Sequence, residues 1–127
     1  GYRETVQALK KAVHSKARLG IGDVYWASDT VPPGYAQREV SARSETELLR
    51  VTREEGFEIE YVIRASRDDW DRYYSDNWHG FLRWLEENPS HPDRQQVLEH
   101  FHQWQDDYSR YERPYMGWAM YVLKPGG

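Results

Sequence analysis

Cysteine is absent from the chain, so disulfides, thiolate metal ligands and cysteine nucleophiles are all excluded. A chain without cysteine is typical of a reducing compartment, and we expect a cytoplasmic location. Long apolar runs are also absent: none approaches the roughly 20 residues of a membrane span, so we expect no membrane partner. The formal net charge of -4 argues against a basic binding face, and we expect no nucleic-acid partner.

Several signatures of catalytic and cofactor sites are missing as well. Gly20-Ile21-Gly22 lacks the third glycine of a dinucleotide loop, and a proline-rich loop follows it instead of a helix. We interpret these glycines as close packing within a strand. No serine or threonine stands in a nucleophile elbow, which leaves a hydrolase without support. His100 and His102 point about 200° apart on a helix and cannot chelate one ion, so we predict no metal site.

Aromatic residues are abundant, with six Trp and ten Tyr among 127 residues. Such side chains bury large areas yet keep a polar atom, and they occur both in cores and in ligand sites. Between residues 68 and 84 rings and carboxylates alternate at helical spacing. The stripe of Trp70, Tyr74 and Trp78 is more typical of a helix packing on a core than of a pocket. Tyr73 lies off that stripe and is the better pocket candidate.

The sequence predicts the order helix, strand, helix, strand, two helices, strand. The first strand spans residues 17–26, and Pro32-Pro33-Gly34 predicts an irregular loop over 27–42. Ser44 with Glu47 forms a capping box for a helix over 45–55, and Gly56 is placed to end it. Alternation from 57 to 63 then predicts a half-exposed strand, parallel to the first through a right-handed crossover.

The second half of the pattern is helical until its final strand. Ser66 begins one helix, and another spans 93–111 and is stopped by Pro114. Residues 115–123 are apolar on both faces, which predicts a strand buried in the middle of a sheet. A terminal strand inserted between the two earlier strands explains this pattern.

This order, with these residues, resembles the C-terminal half of a class I S-adenosylmethionine-dependent methyltransferase. Residues 5–13 and 17–26 look like the family's helix and fifth strand, although His14-Ser15-Lys16 replaces the usual Pro-Gly-Gly turn. Residues 46–59 resemble the next helix and the sixth strand. Residues 117–123 resemble the seventh strand, which in that family is antiparallel and inserted between the fifth and sixth.

The resemblance implies an α/β fold: a partial Rossmann-like methyltransferase sheet of three strands, the last antiparallel, with helices and a helical insert. We expect residues 1–127 to form a single unit with a substrate-side insert over about 66–112. The resemblance also implies S-adenosylmethionine as cofactor, bound mainly by the half that this chain does not match. We therefore assign no cofactor-binding or catalytic residue here and expect the chain to be inactive alone.

The acceptor site is expected at two places, if the resemblance holds. Asp23, Tyr25 and Trp26 lie at the C-terminal end of a strand, where open α/β sheets bind ligands. The helical insert contributes walls and polar groups; its candidates are Trp70, Tyr73, Tyr74, Trp78, Asp69 and Asp76. Aromatic faces beside acids favour a cationic or amphipathic small-molecule acceptor through cation–π attraction.

Two other functions remain open on the sequence. One is a non-enzymatic α+β module that binds a ligand or a protein, and the other is a subunit that completes a methyltransferase in another chain. The edge of the strand over 17–25, where a fourth strand would pair, is expected to be exposed and to recruit another chain. We therefore expect a homo-oligomer or pairing with a missing N-terminal half.

Overall fold

The computed structural model describes residues 1–39 and 42–126. These residues form two compact units. The first, Gly1–Arg64 with Tyr115–Gly127, contains the β-sheet and is called the sheet unit. The second, Ala65–Pro114, is helical and is called the helical unit. None of the helices in the described residues is long and apolar enough to cross a bilayer.

The sheet unit is α/β, with one mixed sheet and helices between its strands. Its elements are α1 (Tyr2–Lys10), β1 (Leu19–Trp26), α2 (Pro33–Arg38), β2 (Arg43–Ser44), α3 (Glu45–Glu54), β3 (Phe57–Arg64) and β4 (Met116–Pro125). The strand order is β2-β1-β4-β3, and β4 is antiparallel to both β1 and β3. The predicted insertion of the terminal strand between two earlier parallel strands is confirmed.

Two predictions about the segment between β1 and α3 were wrong. The sheet has four strands rather than three, because Arg43 and Ser44 pair in parallel with Tyr25 and Trp26 as a short β2. The loop also contains the helix α2, which begins at Pro33. Proline is tolerated in a first helical turn because the N–H that it lacks has no intrahelical partner there. Val40 and Ser41 of the predicted loop lie outside the described residues.

The predicted start of α3 after Ser44 and its end before Gly56 are confirmed, and the structure shows the Ser44 half of the predicted capping box, while the Glu47 side chain pairs with Arg43. The Ser44 hydroxyl accepts a hydrogen bond from the backbone N–H of Glu47 at 3.2 Å. This bond satisfies one of the free donors of the first turn. Gly56 follows the helix with φ +90°, a conformation that glycine adopts without a Cβ penalty.

One face of the sheet carries the core of this unit. Tyr121 and Leu123 of β4 are fully buried together with Val6 of α1 and Leu48 and Val51 of α3. The stripe of α1 and α3 that faces the sheet is therefore apolar, which accounts for most of the stability of these helices.

The opposite face of the sheet is apolar but accessible. Met120 of β4 pairs with Gly22 on one side and with Ile63 of β3 on the other. Tyr61, Ile63 and Met120 are 66%, 53% and 37% exposed. The exposed side chains form an apolar surface on one side of the β3–β4 pair.

The helical unit consists of α4 (Arg67–Glu87), α5 (Arg94–Asp107), a π-helical turn (Tyr108–Glu112) and the short α6 (Arg113–Tyr115), which runs into the sheet unit. Ser66 and Asp69 cap α4 reciprocally, as a capping box does. The predicted helix over 93–111 was wrong at its end. The α-helix gives way to the π turn after Asp107, and Pro114 lies inside α6 rather than beyond the helix.

Candidate functional site

A cavity of about 440 Å³ lies at the carboxyl end of β1. Three segments meet there: the end of β1 with the loop after it, the first turn of α3, and the last residue of β3. They meet because β1 and β3 are parallel and their carboxyl ends share one edge of the sheet. The residues that line the cavity are Tyr25, Trp26, Ala27, Ser28, Asp29, Ser44, Glu45, Thr46 and Arg64.

An ion pair between Glu45 and Arg64 joins two of these segments. The guanidinium nitrogens Nη1 and Nη2 lie 2.8 and 3.0 Å from the two carboxylate oxygens. Burial alone would raise the pKa of Glu45, but hydrogen bonds from Arg64 and Tyr121 outweigh it and hold this pKa below its ordinary value. The hydrogen bond to Glu45 likewise raises the pKa of Arg64. Both groups are therefore charged at neutral pH.

Tyr121 supports this pair from inside the core. Its ring is fully buried, and its hydroxyl donates a 2.9 Å hydrogen bond to Glu45 Oε2. Burial first, and then the hydrogen bond to the carboxylate, raises the pKa of Tyr121. The phenol therefore stays protonated and acts as a fixed donor.

Tyr25 brings its hydroxyl to the same place. Arg64 Nη1 donates a hydrogen bond to the phenolic oxygen, and the guanidinium carbon lies 5.2 Å from the centre of the ring. Tyr25 is only 6% exposed and lines the cavity. The phenol oxygen accepts from Arg64, so its own proton remains available to a ligand.

The other two residues predicted on β1 differ in their positions. Trp26 lines the cavity, where its half-buried ring packs edge-on against Tyr35 with centroids 5.6 Å apart. Asp23 is not among the lining residues; one of its carboxylate oxygens accepts a 2.8 Å hydrogen bond from the N–H of Val24. The structure thus brings Tyr25 and Trp26 together and leaves Asp23 on its strand.

The predicted rings of α4 lie in an aromatic cluster within the helical unit. Tyr74 is 8% exposed, and its ring centre lies 5.7 Å from that of Trp70 and 6.2 Å from that of Trp78. The rings of Trp104 and Tyr108 complete the cluster, at 5.4 and 4.2 Å from Tyr74. These three predicted residues therefore pack the helices of this unit against each other.

The remaining candidates on α4 are exposed. Tyr73 is 62% exposed and packs edge-on against Tyr74. Asp69 accepts a hydrogen bond from the N–H of Ser66, which lowers the pKa of this carboxyl, and it also pairs with Arg72 at 2.7 Å. Asp76 lies on the exposed side of the helix. Asp69 thus serves as a helix cap.

A polar network that the sequence analysis missed is built around Asp71 in the helical unit. Its carboxylate accepts hydrogen bonds from the Tyr108 hydroxyl and from Arg113, whose Nε and Nη2 lie 2.9 and 3.2 Å away. The bonds from Arg113 first, and then the bond from Tyr108, lower the pKa of Asp71. Beside this network the indole N–H groups of Trp70 and Trp78 are buried without an acceptor among the described residues.

Most of the cavity was also missed from the sequence. In the sequence, Ser28 and Asp29 have the pattern of ordinary loop residues. Glu45 belongs to the start of a helix, and Arg64 is the polar end of a strand. A usable signal existed, since two parallel strands were predicted to end at Trp26 and near Arg64. Residues just after such ends are the first to consider as ligand contacts.

The two glycines weighed as part of a cofactor loop lie in a strand. Gly20 and Gly22 lie inside β1, and the Trp118 ring covers Gly22 so closely that an added Cβ would collide with it. The interpretation as close strand packing is confirmed for Gly22, whereas a Cβ added to Gly20 would meet only Met120 Sδ at an ordinary 3.7 Å. Within residues 1–39 and 42–126 no group of three His, Asp or Glu side chains is arranged to hold a metal ion.

No protein-family model matches the chain. Among curated proteins, the uncharacterized protein YjhP of Escherichia coli (strain K12) is 25% identical over 128 residues. That match covers 97% of this chain and 52% of YjhP.

Solved structures match the fold more clearly. The SAM-dependent methyltransferase from Geobacter sulfurreducens, solved with S-adenosyl-L-homocysteine, has a TM-score of 0.85 and 28% identity, over 97% of this chain and 51% of that one. The chain has the methyltransferase fold, as the resemblance predicted. The SAM-dependent methyltransferase from Thiobacillus denitrificans, also solved with S-adenosyl-L-homocysteine, has a TM-score of 0.86 and 22% identity. The match covers 98% of this chain and 52% of that one. The X-ray structure of YjhP has a TM-score of 0.83 and 23% identity, over 92% of this chain and 53% of YjhP.

The chain spans about half the length of these relatives. This share is consistent with the C-terminal half of such a fold. The methyltransferase-like sheet in this chain holds the later strands and the cavity at their carboxyl ends.

Proposed function

We propose that this chain is the substrate-recognising C-terminal portion of an S-adenosylmethionine-dependent methyltransferase that acts on a small molecule. The observation that carries the proposal is the cavity at the shared carboxyl end of β1 and β3, within a fold that matches such enzymes. Open α/β sheets bind their ligands at this end of the strands. The acceptor therefore binds among the lining residues of β1, α3 and β3.

The chemistry of methyl transfer suits a site of this kind. Displacement at a methyl-sulfonium carbon needs an aligned nucleophile and the exclusion of water more than it needs a particular side chain. Glu45, Arg64 and Tyr121 form a fixed network that orients the Tyr25 hydroxyl toward the cavity. Their role is to position the acceptor, and the cofactor is held by the rest of the enzyme.

The partner in this proposal is an N-terminal half, supplied by the same polypeptide or by another chain. Two features support it. The face with Tyr61, Ile63 and Met120 is apolar and accessible, and exposed apolar surface of this kind marks an interface. Among the described strands, β1 pairs with β2 only at Tyr25 and Trp26, which leaves the rest of that edge open. Self-association through these surfaces is the competing outcome.

The test compares three proteins by calorimetric titration with S-adenosyl-L-homocysteine. They are the 127-residue chain, the N-terminal half of the Geobacter sulfurreducens methyltransferase, and a fusion of that half to this chain. We expect binding by the fusion and not by this chain alone. Light scattering on the same samples reports whether the chain self-associates and whether the fusion is monomeric.

The controls decide between the alternatives. A fusion that folds cooperatively but binds no more tightly than the N-terminal half alone would contradict the methyltransferase proposal. The non-enzymatic binding module would then be the better description. Binding when the two halves are mixed as separate chains would favour a subunit that completes an enzyme in trans.

A further inference from the structure

The cavity lining has more negative than positive side chains. Three lining side chains are charged: Asp29, Glu45 and Arg64. Glu45 and Arg64 neutralise each other through contacts of 2.8 and 3.0 Å. Asp29 has no ion pair within residues 1–39 and 42–126, so its carboxylate is the uncompensated charge of the cavity.

The helix N-terminus beside the cavity does not reverse this balance. The first turn of α3 would add a partial positive charge, equivalent to about half an elementary charge. Glu45 and Glu47 of that turn are already paired with Arg64 and Arg43. The half charge is nevertheless smaller than the full negative charge of Asp29, so the balance stays negative. No lysine lines the cavity, so the field inside it favours a cation.

An aromatic ring lines the same cavity as the uncompensated carboxylate. Trp26 lines the cavity three residues before Asp29, and its orientation is fixed by the edge-on contact with Tyr35 at 5.6 Å. Indole is the side chain that attracts cations most strongly through its π face. The guanidinium carbon of Arg64 already lies 5.2 Å from the centre of the Tyr25 ring. Trp26 is therefore the aromatic residue of the lining that can contact a cationic ligand.

The polar groups of the lining favour a polar ligand over a purely apolar one. The Tyr25 phenol has a proton to donate, and Thr46 adds a second hydroxyl to the lining. The Ser44 hydroxyl is already used by the N–H of Glu47, and Ser28 bonds Thr30 at 2.9 Å. A ligand that fits these groups carries an ammonium and at least one acceptor atom.

We propose that this cavity recognises the ammonium group of an amine, with Asp29 as its counter-ion and Trp26 as its aromatic neighbour. The assignment rests on the proposed function, because it names the class of the methyl acceptor. It concerns recognition of the acceptor and involves no residue of the helical unit.

The experiment uses three probes of one size and different charge: 2-phenylethylamine, 2-phenylethanol and phenylacetate. Each is titrated into the ¹⁵N-labelled 127-residue chain while the indole N–H signal of Trp26, assigned with a Trp26→Phe variant, is followed by NMR. We expect the amine to bind about tenfold more tightly than the alcohol, the combined size of an exposed ion pair and an exposed cation–π contact. The carboxylate should bind more weakly than the alcohol.

The matched variants are Asp29→Asn and Asp106→Asn. Asp106 is an exposed aspartate on α5, outside the cavity. Asp29→Asn should reduce the affinity for the amine to that for the alcohol and leave the alcohol unchanged, whereas Asp106→Asn should change neither. Equal affinity for all three probes, no binding of any probe, or an amine preference that survives in Asp29→Asn would overturn the proposal.

No cofactor enters this experiment, so its failure is distinguishable from failure of the proposed function. A fusion protein that binds S-adenosyl-L-homocysteine, together with a cavity indifferent to charge, would reject the amine alone. An amine preference in the cavity, together with a fusion that does not bind the cofactor product, would reject the methyltransferase alone.

Discussion

The ring of Tyr25 lies directly against Gly117, its cross-strand neighbour on β4. The two residues are paired in the register of the sheet, and Gly117 is buried. A Cβ added to Gly117 would fall among the ring and hydroxyl atoms of Tyr25. The absence of a side chain at Gly117 is therefore what allows the Tyr25 hydroxyl to reach Arg64.

We predict that Gly117→Ala destabilises the chain by about 1–3 kcal/mol, because the new methyl group overpacks the site and displaces the Tyr25 ring. Urea unfolding measures the change. Gly20→Ala is the matched control, since its Cβ would meet Met120 Sδ at an ordinary 3.7 Å. Equal stability of the two variants would contradict the close contact.

At Gly80 we expect substitution by alanine to stabilise the chain. Gly80 lies inside α4, and a Cβ there would meet no atom within 4 Å. Alanine restricts the unfolded chain and favours the helix, so Gly80→Ala should stabilise the helical unit by about 0.5–1 kcal/mol. Thermal unfolding followed by circular dichroism tests this. A destabilised variant would mean that the helix needs a glycine there.

The hydroxyl of Thr52 is buried between two partners. It donates to the carbonyl of Leu48 at 2.8 Å, and the Tyr2 hydroxyl lies 2.6 Å from it. Thr52→Val keeps the shape but leaves the buried Tyr2 hydroxyl without its acceptor, which should cost about 1–3 kcal/mol. Urea unfolding provides the measurement. Thr5→Val, at an exposed site, should change stability by less than about 0.5 kcal/mol.

Glu45 gives the stability of the sheet unit a dependence on pH. Its pKa is lower in the folded chain than the ordinary glutamate value of about 4.3, so the unfolded chain binds protons more readily. The stabilisation from Glu45 is therefore present above that ordinary value and is lost as the pH falls through the lower, folded pKa.

We expect Glu45→Gln to cost about 0.5–1 kcal/mol at pH 7, a value discounted for the partial exposure of the pair with Arg64. The cost should be smaller at pH 3, on the acid side of the ordinary value. Urea midpoints at the two pH values provide the measurement, with Glu58→Gln as control on the exposed strand β3. A cost that is the same at both pH values would show that packing, and not the charge of Glu45, matters.

The parts of the fold that were predictable depend on local signals. The position of β4 followed from a run that is apolar on both faces, and the start of α3 followed from Ser44 and Glu47. The helix α2 was missed because two prolines and a glycine indicate a break, although Pro33 can begin a helix. The strand β2 was missed because two residues become a strand only when β1 lies beside them.

The site was harder to predict because it joins distant segments. Tyr25 and Trp26 were found from their place at a strand end, which is a local property. Glu45 and Arg64 each have an ordinary local explanation, and their pairing exists only after β1, α3 and β3 have assembled. The aromatic residues of α4 were predicted both as core packing and as acceptor walls, and the burial of Tyr74 among rings agrees with the core packing.

The π turn of the helical unit explains how two donors reach one carboxylate. In an α-helix, residues five apart point about 140° away from each other, but the wider π turn, with its i→i+5 hydrogen bond, brings them much closer to the same side. Tyr108 and Arg113 are five residues apart across this turn, and both bind Asp71. Compared with an α-helix, the π turn contains one additional residue, and this residue determines the direction in which Arg113 points. Deleting one residue of the turn would rotate Arg113 away and leave Asp71 with only one of its two partners.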